Sequence, residues 1–256
     1  MLQYIGRGLD RFGTRMRNLG YVLSNPCYAK VRSAKGSREL YKLLNRRWFY
    51  SPDIRGVVDV GANEGQSIRA IQALLPGVET YAFEPNPACA SYLRSLDWEG
   101  AHIEVCAVAC GSQEATLPLT VFKGDSGLSS LLDKTQALMD HCGGITVEEV
   151  IQVPVVRLDK AMQQCGVNRG PLMVKIDTQG YELEVLKGAT HIMPNTAIVV
   201  CEVNLMPFYS EQCMFDALVA FMATQRFKLF DMGKVVRDGR TMRAAWVDMV
   251  FRNESW

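Results

Sequence analysis

Val57-Val58-Asp59-Val60-Gly61-Ala62-Asn63-Glu64-Gly65-Gln66 carries an apolar, β-branched run straight into a turn that holds two glycines. The run reads as a buried strand, and the glycines mark a backbone that takes positive φ or approaches a ligand closely. A helix follows, from Gly65 to Leu74, closed by Pro76-Gly77. Asp59 stands two residues before Gly61 and Gly65 four after it, so the pattern is D-x-G-x-x-x-G and departs from the dinucleotide fingerprint G-x-G-x-x-G.

Outward from this turn the same alternation repeats. Thr80 to Phe83 reads as a second strand ending in Glu84-Pro85-Asn86-Pro87, a helix runs to about Leu96, and His102 to Ala109 forms a third strand. Strand, glycine turn, helix, strand, acid, helix, strand is a β-α-β-α-β half-fold. Gly111 to Phe122 predicts an added hairpin or edge strand. The small polar stretch Lys123 to Ser130 predicts a loop, either a lid over a site or a plain surface connection. Val153 to Leu158 is a short strand leading into a helix. Leu172 to Ile176 is an apolar strand ending in Asp177, and Ala197 to Val200 another, ending in Cys201-Glu202-Val203-Asn204. Phe227 to Asp231 and Ala245 to Phe251 pair around Asp238-Gly239. The expected architecture is α/β: a mostly parallel, seven-stranded Rossmann-like sheet finished by a C-terminal antiparallel hairpin.

Two units are expected, a basic helical extension over 1–52 and the main domain over 53–256. Residues 1 to 50 hold eleven Lys or Arg against two acids, a net +9, and the rest of the chain carries −8. Leu2 to Leu23 repeats apolar residues at three and four with arginines between them, the pattern of an amphipathic helix, and Asn25-Pro26 breaks it. Its readings are packing on the domain or on a second subunit of a homo-oligomer, or docking on an anionic lipid or lipid-linked substrate. A second basic helix is expected over 37–48. No apolar run reaches the roughly 20 residues that span a bilayer, and arginines interrupt any signal-peptide core. A cytoplasmic protein, or one peripheral at the inner membrane surface, is the expectation. The eight cysteines form no C-x-x-C pair and read as reduced, mostly buried thiols; zinc spacing is missing. The sequence holds no nucleic-acid reading motif, so no specific nucleic-acid partner is expected.

In an open parallel sheet, ligands sit beyond the carboxyl ends of the strands. Asp59-Val60-Gly61, Glu84, Ala107-Val108, Asp177 and Glu202 fall at five such ends. Glu84, 23 residues after Gly61, is placed to accept both ribose hydroxyl protons. Asp59 and Glu64 flank the turn with negative charge, which repels a pyrophosphate but suits a ligand bearing an ammonium and a sulfonium. S-adenosylmethionine therefore fits better than a nicotinamide dinucleotide.

Four motifs in order make this specific: Val58 to Gln66, Phe83-Glu84-Pro85-Asn86, Lys175-Ile176-Asp177-Thr178-Gln179-Gly180-Tyr181-Glu182 with Leu186-Lys187-Gly188-Ala189, and Glu202. Over about 55–205 the chain resembles the FkbM family of methyltransferases. The resemblance implies a class I methyltransferase fold and O-methylation of hydroxyl groups on sugars, glycoconjugates or polyketide-type natural products. It further implies Gly61, Asn63 and Gly65 around the methionine portion of the cofactor, with Asp59 at that turn. Glu84, with Asn86 in the same motif, falls at the ribose, and the Ala107-Val108 backbone beside adenine. Where the family reads Asp-Val-Glu-Gly this chain has Asp177-Thr178-Gln179-Gly180, so a catalytically silent binding module is a competing reading. Methyl transfer to an alcohol needs a base, and Asp177 is the expected one. The rival is a metal-assisted route in which Asp177, Glu202 and Asn204 hold Mg²⁺ against two substrate hydroxyls.

Overall fold

The computed structural model describes residues 25–166 and 170–256. The helix expected over 2–23 lies outside them. Asn25-Pro26 proves to be a helix start: the Asn25 side chain accepts the Tyr28 N–H, and Pro26 opens α1 (Pro26–Ser33). Proline at the first helical position gives up an N–H that has no partner there, which is why the dipeptide opens a helix. The second basic segment is shorter than expected, α2 (Arg38–Leu44) capped by Ser37, followed by a single 3₁₀ turn over Arg47–Tyr50.

The main sheet begins with β1 (Gly56–Val60), then α3 (Gln66–Gln72), β2 (Glu79–Phe83), α4 (Pro87–Ser95) and β3 (Ile103–Cys106). After an inserted region come β7 (Leu172–Ile176), α7 (Glu182–Lys187), β8 (Thr196–Asn204), α8 (Phe215–Thr224), β9 (Phe227–Met232), β10 (Val236–Arg237) and β11 (Ala244–Asn253). The order is β10-β11-β8-β7-β1-β2-β3, with β9 also paired to β11. β1, β2, β3, β7 and β8 run parallel, and β11 returns antiparallel between β8 and the β9/β10 edge. This is the expected mostly parallel, Rossmann-like sheet with its C-terminal antiparallel pair. The eighth strand is the two-residue β10.

The inserted region builds a second sheet. β4 (Ala109–Gly111), β5 (Ala115–Phe122) and β6 (Val147–Arg157) pair in the order β4-β6-β5, with α5 (Gln136–Cys142) between β5 and β6 and α6 (Leu158–Gln164) after β6. The expected edge strand thus pairs with an eleven-residue β6, of which the expected strand 153–158 covers only 153–157. The outer half of β6 is exposed and mixes acids with valines, so hydrophobic periodicity does not reveal it.

Two apolar layers sandwich the main sheet. On one face Leu158, Met162, Val185, Leu186, Leu218 and Met222 pack against β1, β7, β8 and β11. On the other, Tyr28, Val31, Leu40, Leu44 and Phe49 join Val57, Ile71, Met173, Ile198 and Val250 in one buried cluster. The described part of the N-terminal extension is therefore continuous with the core of the domain. All eight cysteines are reduced: Cys89, Cys110 and Cys201 buried, Cys27 exposed and the other four half-buried. Among the described residues no helix is long and apolar enough to cross a membrane.

Candidate active site

Strand order reverses between β1 and β7, and a cavity opens at their carboxyl ends. Gly61 takes φ +80°, and a Cβ there would lie 1.9 Å from the Asp177 carbonyl oxygen, so the turns after β1 and β7 touch backbone to backbone. Asn63 at φ +48° and Gly65 at φ +81° complete the turn into α3. Gly61, Asn63, Glu84, Val108 and Asp177 line the cavity, together with Phe83, Leu119, Leu131, Lys175 and Gln179.

Glu84 ends β2 at the cavity wall. Its two oxygens accept separate backbone N–H groups, Asn86 at 2.8 Å and Asn63 at 2.7 Å. Burial nevertheless pushes this carboxyl up to about 7, against the lowering effect of those two bonds. A carboxylate offers about four acceptor sites, so two remain for a diol. Asn86 is buried and caps α4 by accepting the Ala88 N–H. It shapes the Glu84 turn without lining the cavity.

Asp59 lies beneath the cavity floor, with no exposed surface and no hydrogen-bond partner on either oxygen. Burial lifts it to about 6. Its cationic neighbour is Lys175, directly across the β1–β7 ladder, with Nζ 3.8 Å away. Lys175 also reaches Asp177 at 3.0 Å. Burial disfavours the lysine charge, but Asp177 and Asp59 outweigh it and raise its proton affinity. The charge of Asp59 thus acts on the cavity through Lys175, which does line it. A lone lysine inside the otherwise apolar Leu172–Ile176 run is the signal that could have pointed to this residue.

Asp177 is the carboxylate of this cluster that faces the cavity. Behind it, Gln179 donates from Nε2 to Asp177 at 2.8 Å and to Glu202 at 3.1 Å. The Tyr209 hydroxyl lies 2.9 Å from Gln179 Oε1 and 3.0 Å from the Leu128 carbonyl, and its single proton serves one or the other. Gln179 holds this pose at φ +56°, a region unfavourable for a residue with a Cβ. Glu202 is driven well above the ordinary carboxylate range by burial and by Asp177, Asp248 and Glu182. Its cross-strand partner is Asp248, which burial lifts to about 6. The departure from the family's glutamate therefore supplies a neutral amide between two acids that would otherwise repel. A cation held between Asp177 and Glu202 would have to displace that amide. Asn204, two residues on, is buried with Nδ2 lacking a partner.

The loop after β5 crosses the cavity. Ser126 Oγ donates to the Asn63 side chain at 2.7 Å, Ser130 Oγ donates to the Gln179 carbonyl at 2.8 Å, and Ser126, Gly127, Ser129 and Ser130 are lining residues. Its position is that of a lid. Ser37, from the basic extension, lines the cavity, and its N–H donates to the Gln66 carbonyl at 2.8 Å. Ala107 carries the backbone between β3 and β4 beside Val108, which lines the cavity.

The residue set fits S-adenosylmethionine. A carboxylate with spare acceptor capacity faces the space a ribose needs, Val108, Phe83, Leu119 and Leu131 give an apolar slot for a purine, and the turn at Gly61 to Asn63 brings backbone to the cavity wall.

A model of the methyltransferase FkbM domain matches residues 59–229. The chain is 33% identical to "Methyltransferase sdnD" of Sordaria araneosa over 52% of its own length, and the match spans 59% of that relative. It is 23% identical to "2-O-methyltransferase NoeI" of Sinorhizobium fredii over 83% of this chain and 87% of that one. Among solved structures, magnesium protoporphyrin IX methyltransferase (ChlM) from Synechocystis with bound SAM superposes with TM-score 0.45 at 10% identity, over 89% of this chain and 79% of that one. With the family model spanning the β1 turn, the Glu84 motif and the β7 motif alike, the chain belongs to the FkbM methyltransferase family.

Proposed function

We propose that the protein is an S-adenosylmethionine-dependent O-methyltransferase whose acceptor is a hydroxyl group of an anionic sugar or glycoconjugate. The observation that carries this reading is Asp177 on the same cavity as Glu84, ion-paired to buried Lys175 and oriented by Gln179. S-adenosylmethionine, when bound, supplies an electrophilic methyl group on a sulfonium. Glu84 receives the ribose hydroxyls, and Val108 with Phe83 borders the purine. Asp177 accepts the proton of the acceptor hydroxyl as the oxygen–methyl bond forms and the methyl–sulfur bond breaks, with the neutral thioether as the leaving group. Lys175 and the Gln179 amide fix the carboxylate's orientation, so that an acceptor seated under the lid meets a base that need not reorganise.

The Sinorhizobium relative, matched over most of both chains, is named as a 2-O-methyltransferase, which supports the hydroxyl acceptor. The anionic class is supported by the basic extension, since Ser37 lines the cavity and exposed Lys35 and Arg38 flank it in sequence. The test is a methyl-transfer assay with labelled S-adenosylmethionine over nucleotide sugars and lipid-linked saccharides, with Asp177→Asn beside the wild type. Transfer to a sugar hydroxyl, lost in Asp177→Asn while cofactor binding persists, is the expected result. Near-normal turnover by Asp177→Asn would remove the base assignment, and transfer confined to nitrogen or carbon acceptors would remove the acceptor class.

A further inference from the structure

Away from the cavity, the outer edge of the main sheet assembles three side chains that no part of the proposed reaction uses. Glu104 and Cys106 are two residues apart on β3, so their side chains share one face of the sheet. Cys165, the residue that ends α6, lies against that face, and the carboxylate oxygen and two sulfurs fall within 4.8 Å of one another. Cys165 Sγ is 3.4 Å from Glu104 Oε1. We propose that Glu104, Cys106 and Cys165 bind a single thiophilic divalent cation of the Zn²⁺ type, as a two-thiolate, one-carboxylate site with one position open.

Geometry carries the argument. Two sulfurs bound to tetrahedral zinc at ~2.3 Å stand ~3.8 Å apart, so closing the site from its present spread needs a movement of ~1 Å or less. All three residues are half-buried, and among the described residues β3 pairs within its sheet with β2 alone; that partial exposure leaves room for a water in the fourth position. Without a cation, burial raises both thiols, and Cys165, with Cys106 and Glu104 beside it, reaches about 12. A divalent charge reverses that balance, displacing the two thiol protons to solvent as the metal–sulfur bonds form. The two cysteines lie 59 positions apart in sequence, which is why no ligand-spacing pattern announces them. Cys106 also anchors the cavity wall: its carbonyl accepts the Glu84 N–H at 3.0 Å and the Val108 N–H at 2.9 Å.

The experiment uses the full chain, reduced and freed of metal, titrated with Co²⁺ and then Zn²⁺. Binding is followed by the sulfur-to-cobalt charge-transfer band and by metal content after dialysis. One cation per chain with a two-thiolate band is expected. Cys106→Ser and Cys165→Ser should each weaken binding by ~100-fold or more, and Glu104→Gln by ~10-fold with the band kept. Cys27→Ser, at the exposed cysteine, should change nothing. Absence of the band, sub-stoichiometric metal, or wild-type binding in the Cys106→Ser/Cys165→Ser double variant would overturn the site. So would a chelator-resistant Cys106–Cys165 cross-link in place of bound metal. If a cysteine variant fails to fold, the wild-type band and the Glu104→Gln titration decide.

Discussion

Glu84→Gln tests how the cavity recognises its cofactor. In the wild type each carboxylate oxygen accepts one backbone N–H, from Asn86 and from Asn63. Glutamine has one acceptor oxygen, so one of those N–H groups would face an NH₂, destabilising the fold by roughly 1–3 kcal/mol. Replacing a charged acceptor of the ribose diol by a neutral one removes about 2–4 kcal/mol of binding, a Kd weaker by roughly 30- to 1000-fold. The pH dependence supplies an independent arm. Burial holds Glu84 up to about 7, above its unfolded value, so the fold favours its protonated form. That contribution to stability is fully present below the ordinary carboxylate range and is lost as pH rises through about 7, a change on the order of 3 kcal/mol. Cofactor binding to the ionised carboxylate runs the other way, with affinity falling about tenfold per pH unit below 7. Calorimetric titration with S-adenosylmethionine from about pH 5.5 to 8.5, beside urea unfolding at the same values, reads both arms. A pH-independent Kd, or a Glu84→Gln Kd close to that of the wild type, would show that Glu84 does not receive the ribose.

Gln179→Ala should lower kcat by roughly 100-fold through misplacement of Asp177, with the cofactor Kd unchanged; steady-state kinetics and titration check it. Gly61→Ala places a Cβ 1.9 Å from the Asp177 carbonyl at φ +80°, and should destabilise by more than about 3 kcal/mol, read as a lower Tm or an insoluble product. Leu44→Ala, in the fully buried layer shared by the extension and the sheet, should destabilise by roughly 2–5 kcal/mol in urea unfolding. An unchanged unfolding midpoint would mean that the extension is not part of the cooperative core.

The parallel half of the sheet was legible because each strand is a short apolar run ending in a glycine or an acid, and Gly61 and Gly65 do take the positive φ that their spacing demands. Glu84, Asp177 and Val108 line the cavity because they follow strand ends on one rim. Asp59 was read as facing the ligand. Alternation within a strand buried on both faces cannot say which side a residue takes, and its partner was found only through the β1–β7 register. Tyr209 and the pairing of the β4-β6-β5 sheet stayed hidden for another reason: their contacts join residues 25 or more positions apart through exposed or irregular chain. The amide bridge at Gln179 was visible as an oddity of composition. Its meaning required the positions of Glu202 and Tyr209.

The Asp59–Lys175 pair has a consequence for how the domain finds its own topology. β1 and β7 are both buried along their whole length and rich in interchangeable valine, leucine and isoleucine, so apolar packing alone would accept them shifted against each other. A slip by one residue would set Asp59 opposite a hydrocarbon neighbour in a space closed to water, leaving a buried carboxylate without its cation at several kcal/mol, while Lys175 would keep Asp177 at the end of its own strand. With Asp59 opposite Lys175 only the native alignment avoids that penalty. The same alignment brings the Gly61 turn against the Asp177 carbonyl. One ionic couple at the centre of the sheet acts as a register key, and Asp177, the proposed base, lies two residues beyond Lys175.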